Sequence, residues 1–182
     1  MPTESKPIEL GTACPSFDLL AVDGKRYSRE SFGESKLLVV AFTCNHCPYV
    51  QAYESRVMDL ARRFSPKGVS FVCINSNDAK AYPEDSFEGM KERSKELGFN
   101  FHYLWDQTQA VAKAFNAACT PEFYVYDANR KLRYHGRLDD NHKDASAVKE
   151  RYLESALDAL LTGQSISKTQ TAAMGCSIKW KI

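Results

Sequence analysis

The feature that most constrains this 182-residue chain is a pair of cysteines placed where a buried strand gives way to a helix. The apolar, β-branched run at 37–42 predicts a buried strand, and Cys44 and Cys47 follow it almost at once. From Val50 onward, apolar residues recur at spacings of three and four, which predicts an amphipathic helix over 47–64. The pair therefore lies at the amino-terminal end of a helix, where free N–H groups and the helix dipole favour a thiolate over a thiol.

Two other uses of a Cys-x-x-Cys pair are a zinc site and a buried pair without chemistry. A structural zinc site needs further ligands, and neither a second Cys-x-x-Cys nor a Cys/His pair at finger spacing follows in the sequence. A Cys-x-x-Cys between a strand and a helix is typical of a thioredoxin-like redox motif. We therefore interpret Cys44 and Cys47 as a redox-active dithiol/disulfide centre that needs no metal and no other cofactor.

Length and composition restrict the class of partner. The formal net charge of +1 offers no field for nucleic acid or an anionic membrane, and no apolar run is long enough to span a bilayer. The first ten residues lack the basic start and apolar stretch of a signal peptide, which predicts the cytoplasm, where the six cysteines should be mostly free thiols. We expect the partner to be a protein dithiol or disulfide, or a small thiol.

The remaining pattern predicts an α/β chain. The other predicted elements are a β-hairpin around an Asp-Gly turn at 19–27, a helical turn at 28–33, strands at 69–75, 101–105, 122–127 and 131–135, and helices at 82–97, 109–115 and 148–161. Asp139 and Asp140 suggest the start of a helix, and the alternating residues of 178–182 suggest an edge strand or a docked segment. We assign 1–163 to one domain with a central mixed sheet flanked by helices, and 164–182 to a C-terminal tail docked on it.

Several motifs together resemble the thioredoxin-like superfamily, and within it the redoxin branch (AhpC/TSA-like), which includes peroxiredoxins and TlpA- or ResA-type proteins. These motifs are GTACPSFDL at 11–19, FTCNHCPYV at 42–50 and TPEFYVYD at 120–127. The CNHCPYV motif and the GCSIKWK tail at 175–181 are similar to an uncharacterised bacterial group of thioredoxin-family proteins. The resemblance implies a thioredoxin fold and an enzyme acting as a thiol–disulfide oxidoreductase.

The resemblance also assigns roles. In thioredoxin-like proteins the first cysteine of the motif attacks and the second resolves, which makes Cys44 the nucleophile and Cys47 the resolving thiol. His46 lies between them, as in DsbA-type oxidants, where a protonated imidazole would stabilise the Cys44 thiolate; a solvent-facing imidazole is the alternative. Thr120 and Pro121 match the loop that faces the dithiol, so we expect a cis bond before Pro121 and a docking surface at Thr120.

Departures from the family patterns leave two alternative functions open. Thioredoxin has Trp where this chain has Thr43, so its partner-docking surface does not carry over. Peroxiredoxins have Thr-x-x-Cys, which makes Cys47 the match of their peroxidatic cysteine, but they carry an arginine where Pro121 stands. A peroxiredoxin-like thiol peroxidase with antioxidant activity is therefore the second hypothesis. A non-enzymatic, Sco-like carrier of Cu(I) or another metal is the third.

Two further cysteines are candidates for a third thiol. Cys119 precedes Pro121 by two residues, where it could resolve a mixed disulfide, bind a metal with the Cys-x-x-Cys pair, or pack as a small core residue. Cys176 in the tail could act as a second resolving thiol, as in some peroxiredoxins, or be buried without chemistry. Cys14 and Cys73 are interpreted as structural.

Overall fold

The computed structural model describes residues 2–182 as ten strands and four α-helices. The strands are β1 (Pro2–Glu4), β2 (Asp18–Ala21), β3 (Arg26–Ser28), β4 (Leu37–Thr43), β5 (Val69–Asn75), β6 (His102–Trp105), β7 (Cys119–Thr120), β8 (Glu122–Tyr126), β9 (Leu132–Gly136) and β10 (Met174–Ser177). The helices are α1 (Pro48–Phe64), α2 (Phe87–Leu97), α3 (Ala110–Ala114) and α4 (Tyr152–Leu161). Short 3-10 turns lie at Arg29–Phe32, Ser65–Lys67, Pro83–Asp85 and Ala145–Ala147.

A mixed seven-stranded sheet forms the centre of the molecule, in the order β3-β2-β6-β5-β4-β8-β9. β4 and β5 are parallel, as are β5 and β6, whereas β8 runs antiparallel to β4. One apolar cluster packs α1, α2 and α4 against one face of this sheet, and a second cluster packs α3 against the other face. The uninterrupted apolar runs of β4 and β5 follow from this burial on both faces. The predicted thioredoxin fold is confirmed.

A second, three-stranded sheet connects both ends of the described chain to the segment before β8. Its order is β1-β10-β7, and both pairings are antiparallel. Cys176 of β10 lies opposite Pro2 on one side and opposite Thr120 on the other. A Cβ atom at Gly175 would lie only 1.9 Å from the Thr120 carbonyl oxygen, so this close approach of β10 to β7 requires glycine.

Helix ends follow local signals in the sequence. Pro48 occupies the first turn of α1, where its missing N–H group leaves no hydrogen bond unmade. Gly98 ends α2 with φ of 67°, a left-handed conformation that glycine adopts without a steric penalty. The predicted helix at 148–161 starts later, at Tyr152, because the residues just before it are mostly exposed and its buried face begins at Leu153. Among residues 2–182, no helix is both long enough and apolar enough to cross a bilayer.

Two predictions about the last third of the chain are wrong. Asp139 does not start a helix, because it is buried and accepts hydrogen bonds from the Tyr53 hydroxyl (2.9 Å) and the Arg56 guanidinium (2.7 Å), which connects the loop after β9 to α1. For the tail, the edge-strand alternative is wrong, because β10 precedes residues 178–182 and lies in the middle of the small sheet; the hydrogen bonds of Ile178 and Lys179 agree with the other alternative, a docked segment.

Candidate redox site

Cys44 and Cys47 lie in the short connection between β4 and α1, with Cys47 as the residue that caps the helix. Both side chains are buried: Cys44 is 2% exposed and Cys47 is 0% exposed. Because α1 begins directly after Cys47, the sulfur of this residue lies beside the unpaired N–H groups of the first helical turn.

Thr120 lies against both sulfurs. Its hydroxyl Oγ1 is 3.4 Å from Cys44 Sγ, and its carbonyl oxygen is 3.4 Å from Cys47 Sγ. The Thr120–Pro121 peptide bond is cis, as predicted. The segment predicted to face the dithiol therefore does face it, and one residue of that segment contacts both cysteines.

Cys176 brings a third sulfur to the site. Its Sγ is 2.8 Å from Cys47 Sγ, although the two residues lie 129 positions apart in the sequence. Cys176 is partly exposed, in contrast to the two sulfurs of the Cys-x-x-Cys pair. The candidate third thiol Cys176 is therefore in direct contact with Cys47.

The environment of the two motif cysteines places the negative charge on Cys47. A hydrogen bond from the Cys44 thiol lowers the pKa of Cys47 to about 4, despite burial, and contacts with Cys176 and the backbone N–H of Val50 act in the same direction. The same hydrogen bond raises the pKa of Cys44, and burial and the Asp85 carboxylate raise it further. The site therefore favours a Cys47 thiolate beside a protonated Cys44 thiol.

This order of acidity is the reverse of the one expected from thioredoxin-like motifs, in which Cys44 would be the exposed, attacking thiol. The main physical reason is the hydrogen bond that the Cys44 thiol donates to Cys47, while burial and the Asp85 carboxylate add to the raised pKa of Cys44. Neither sulfur of the pair is the more accessible one, since both are almost fully buried. The assignment of attacking and resolving roles stays a prediction.

His46 is partly exposed and contacts a carboxylate. Its Nδ1 pairs with Asp85 Oδ2, and its ring stacks on Tyr82 with a centroid distance of 5.2 Å and an interplanar angle of 5°. Asp85 itself is 0% exposed. Any positive charge on His46 is therefore shared between the Cys44 sulfur and the neighbouring Asp85 carboxylate.

Asp85 is the centre of a buried hydrogen-bond network that the sequence analysis missed. Its carboxylate accepts from the backbone N–H of Asn45 (2.6 Å) and from the side-chain amides of Asn75 (3.0 Å) and Asn77 (2.9 Å). Asn45 in turn accepts from the hydroxyl of Tyr103 at 2.7 Å. The available signal was the cluster of asparagines directly after β4 and at the end of β5, because the carboxyl ends of neighbouring parallel strands meet at one edge of a sheet.

One cluster in the described chain has the composition of a metal site. A sulfur of Cys44, a ring nitrogen of His46 and a carboxylate oxygen of Asp85 all lie within 4.8 Å of one another. Both Asp85 oxygens already accept hydrogen bonds from amide groups, so a metal ion would have to compete with these donors.

Cys119 is fully buried on β7, where burial raises the pKa of its thiol. Its sulfur lies 3.6 Å from the Ala173 carbonyl oxygen and 3.9 Å from Glu122 Oε2. This is the environment of a small core residue with a weak S–H donor.

Glu122 supports the segment that carries Thr120, and the sequence analysis also missed this role. Its side chain, which is 0% exposed, accepts from the backbone N–H groups of Ala118 (2.8 Å) and Cys119 (3.2 Å) through Oε2. Oε1 accepts from the Tyr124 hydroxyl (2.8 Å) and lies 2.7 Å from His135 Nε2. The available signal was a single acidic residue in the otherwise apolar strand β8.

Comparisons with known proteins agree with this architecture. A family model described as Redoxin matches residues 9–151. An uncharacterized conserved protein from Geobacillus kaustophilus is 46% identical, with 100% of this chain and 97% of that chain covered and a TM-score of 0.95. A hypothetical protein from Sinorhizobium meliloti 1021 is 40% identical, with 98% of each chain covered and a TM-score of 0.93.

A more distant structure shares the fold alone. It is a putative thiol:disulfide interchange protein DsbE from Chlorobium tepidum, 15% identical, with 85% of this chain and 99% of that chain covered and a TM-score of 0.69. The comparison with curated proteins gives no match.

Proposed function

Because the chain belongs to the redoxin family, and because its Cys-x-x-Cys pair caps a helix, we propose that it is a thiol–disulfide oxidoreductase. The observation that carries the proposal is the position of the two cysteines: Cys47 caps α1, and Thr120 lies 3.4 Å from both Cys44 Sγ and Cys47 Sγ. A cysteine at a helix start, such as Cys47, is stabilised as a thiolate in the reduced state, and Cys44 is the neighbouring thiol with which it can form a disulfide.

The proposed reaction balances as an exchange of one disulfide for another. The Cys44–Cys47 dithiol loses two electrons and two protons as its S–S bond forms, and a disulfide of a protein or small-thiol partner gains them to become two thiols. The reverse reaction oxidises a partner dithiol. The reduction potential of the pair relative to that of the partner sets the direction, and the cytoplasm stays the predicted compartment.

Within the pair we assign the thiolate to Cys47 and the protonated thiol to Cys44, in place of the roles expected from thioredoxin. Thr120 contacts both sulfurs, with its hydroxyl beside Cys44 Sγ and its carbonyl oxygen beside Cys47 Sγ, and we propose it as a positioning residue. His46 offsets the charge of Asp85, which otherwise disfavours a thiolate at Cys44.

The test is equilibration of the purified protein in glutathione buffers of graded potential, followed by alkylation and peptide mass mapping. We expect a Cys44–Cys47 disulfide that forms and disappears with one two-electron midpoint, and no such midpoint in Cys44→Ser. Cys73→Ala, which removes a buried thiol of β5, is the matched control and should keep the midpoint. Absence of a Cys44–Cys47 linkage in wild type at every potential would exclude the proposed reaction.

A thiol peroxidase is the second candidate, and one observation favours it. Cys47, which matches the peroxidatic cysteine of peroxiredoxins, is the sulfur whose pKa is lowered, as attack on a peroxide requires. In that reaction the Cys47 thiolate would attack one peroxide oxygen and become a sulfenic acid, while the other oxygen leaves as hydroxide and takes up a proton from solvent to become water. Single-turnover consumption of hydrogen peroxide by the reduced protein, absent in Cys47→Ser, would favour this candidate over disulfide exchange.

A further inference from the structure

We propose that Cys176 is a third redox-active thiol, which forms a disulfide with Cys47 and passes electrons between the buried Cys44–Cys47 pair and the external partner. The proposal rests on the proposed thiol–disulfide exchange and adds a route by which that exchange reaches the surface. Cys47 is then the central sulfur of the site, bonded in turn to Cys44 and to Cys176.

The first argument is access. Cys44 is 2% exposed and Cys47 is 0% exposed, so an external thiol has little direct access to either sulfur. Cys176 is partly exposed and its Sγ lies 2.8 Å from Cys47 Sγ. Cys176 is therefore the sulfur that can react both with an external thiol and with the buried pair.

The second argument is that the tail is held in place and not merely nearby. β10 pairs with β1 on one side and with β7 on the other, and Cys176 is directly opposite Thr120, the residue that contacts both motif sulfurs. Beyond the strand, the Ile178 N–H donates to the Ala118 carbonyl (3.2 Å), and the Lys179 N–H donates to Asn77 Oδ1 (2.9 Å).

Gly175 shows how closely the tail is fitted to this position. Its missing side chain leaves room for the Thr120 carbonyl, which would lie 1.9 Å from a Cβ atom. The strand that carries Cys176 thus packs against the very edge of β7 that an extended partner peptide would otherwise use.

The proposed relay balances in three exchanges, starting from the Cys44–Cys47 disulfide. The Cys176 thiolate attacks Cys47 Sγ, the Cys44–Cys47 bond breaks, and Cys44 leaves as a thiolate that takes up a proton. An external thiolate then attacks Cys176 Sγ and Cys47 leaves as a thiolate. A second external thiolate attacks the mixed disulfide, so that Cys176 is released and the partner departs as a disulfide. The protein gains two electrons and the partner dithiol loses two.

The acidity of the sulfurs supports this direction of bond breaking. The pKa of Cys47 is lowered to about 4, mainly by the Cys44 hydrogen bond, which makes Cys47 a good leaving group when a partner attacks Cys176. Burial raises the pKa of Cys176, so the attack of its thiolate on the motif disulfide should become faster as the pH rises.

The direct test traps the second disulfide. In Cys44→Ser the pair Cys47 and Cys176 remains, and oxidation with oxidised glutathione should give an intramolecular Cys47–Cys176 linkage in peptide mass maps of the unreduced protein. The same treatment of Cys44→Ser/Cys176→Ser should give only a glutathione adduct. If Cys47 of the single variant carries glutathione while Cys176 stays free, the relay is excluded.

A kinetic test separates the relay from the proposed function. Cys176→Ser should still form the Cys44–Cys47 disulfide, but its reduction by glutathione should slow roughly tenfold or more, because the held neighbouring thiol is lost. Wild-type reduction rates in Cys176→Ser would overturn the relay and leave the Cys44–Cys47 reaction intact. Failure of the wild-type protein to form a Cys44–Cys47 disulfide would overturn the proposed function, independently of any reaction at Cys176.

A variant that keeps every cysteine checks the role of the tail. Gly175→Ala should slow the same reduction, because the new Cβ forces β10 away from Thr120. Ser177→Ala, the matched control in the same strand, should react like wild type. Equal rates for Gly175→Ala and Ser177→Ala would show that the docked position of the tail is not needed and would count against the relay.

Discussion

Replacement of Glu122 tests whether a buried carboxylate shapes the site through the hydrogen bonds that it accepts. In Glu122→Ala, the backbone N–H groups of Ala118 and Cys119 lose the acceptor that holds the segment before Thr120. Each buried donor left without an acceptor costs about 1–3 kcal/mol. The two together predict a fall in the free energy of unfolding of about 2–6 kcal/mol.

Glu122→Gln separates hydrogen bonding from charge. The amide oxygen of glutamine can still accept hydrogen bonds from the two backbone N–H groups. The amide nitrogen faces the Tyr124 hydroxyl, which can accept a hydrogen bond, and His135 Nε2, which can accept one when the ring is neutral. We therefore expect the glutamine variant to lose less than half as much stability as the alanine variant, and to keep the reactivity of the dithiol.

The assay is urea unfolding of the reduced proteins. With an m-value of about 2 kcal/mol/M, a loss of about 4 kcal/mol lowers the urea midpoint by roughly 2 M. Glu150→Ala, which removes an exposed partner of Lys168, is the control and should change stability by less than about 1 kcal/mol. A loss below about 1 kcal/mol in Glu122→Ala, or equal losses in the alanine and glutamine variants, would refute the reasoning.

Three further predictions concern single residues. Between about pH 4 and the ordinary thiol pKa near 9.0, the reduced protein should carry one thiolate that Cys47→Ser lacks. Ultraviolet absorbance of the thiolate measures this difference, and equal absorbance of the two proteins would argue against a Cys47 thiolate. His46→Ala should lower the reduction potential of the pair, because the charge of Asp85 is then unopposed and raises the pKa of the nearby thiol. Each unit of thiolate pKa corresponds to about 30 mV, and an unchanged potential would show that Asp85 and His46 do not affect the thiols. Gly98→Ala should destabilise the protein by about 1 kcal/mol in urea unfolding because φ is 67° there, whereas Gly98→Asn should cost less.

The local pattern was sufficient for the elements that place the dithiol. The apolar run of β4, the three-and-four spacing of α1 and the proline at its start depend on neighbours within a few residues, so the sequence alone locates the Cys-x-x-Cys pair at a strand–helix junction. The hairpin of β2 and β3 and the end of α2 at Gly98 were predictable for the same reason. The start of α4 was not, because burial against the sheet decides where its first turn begins.

Contacts between distant segments decided the chemistry of the site. Asp85 meets His46 across 39 positions, and Cys176 meets Cys47 across 129, and no local periodicity encodes either contact. The acidity of a buried thiol depends on the charges and hydrogen-bond donors around it in space, which is why the motif alone assigned the thiolate to Cys44 while the packed site favours Cys47. The sequence by itself determined the fold and the position of the Cys-x-x-Cys pair at the start of a helix. Only the tertiary structure brought Asp85 and Cys176 to this pair, because both contacts exist only once the chain is packed.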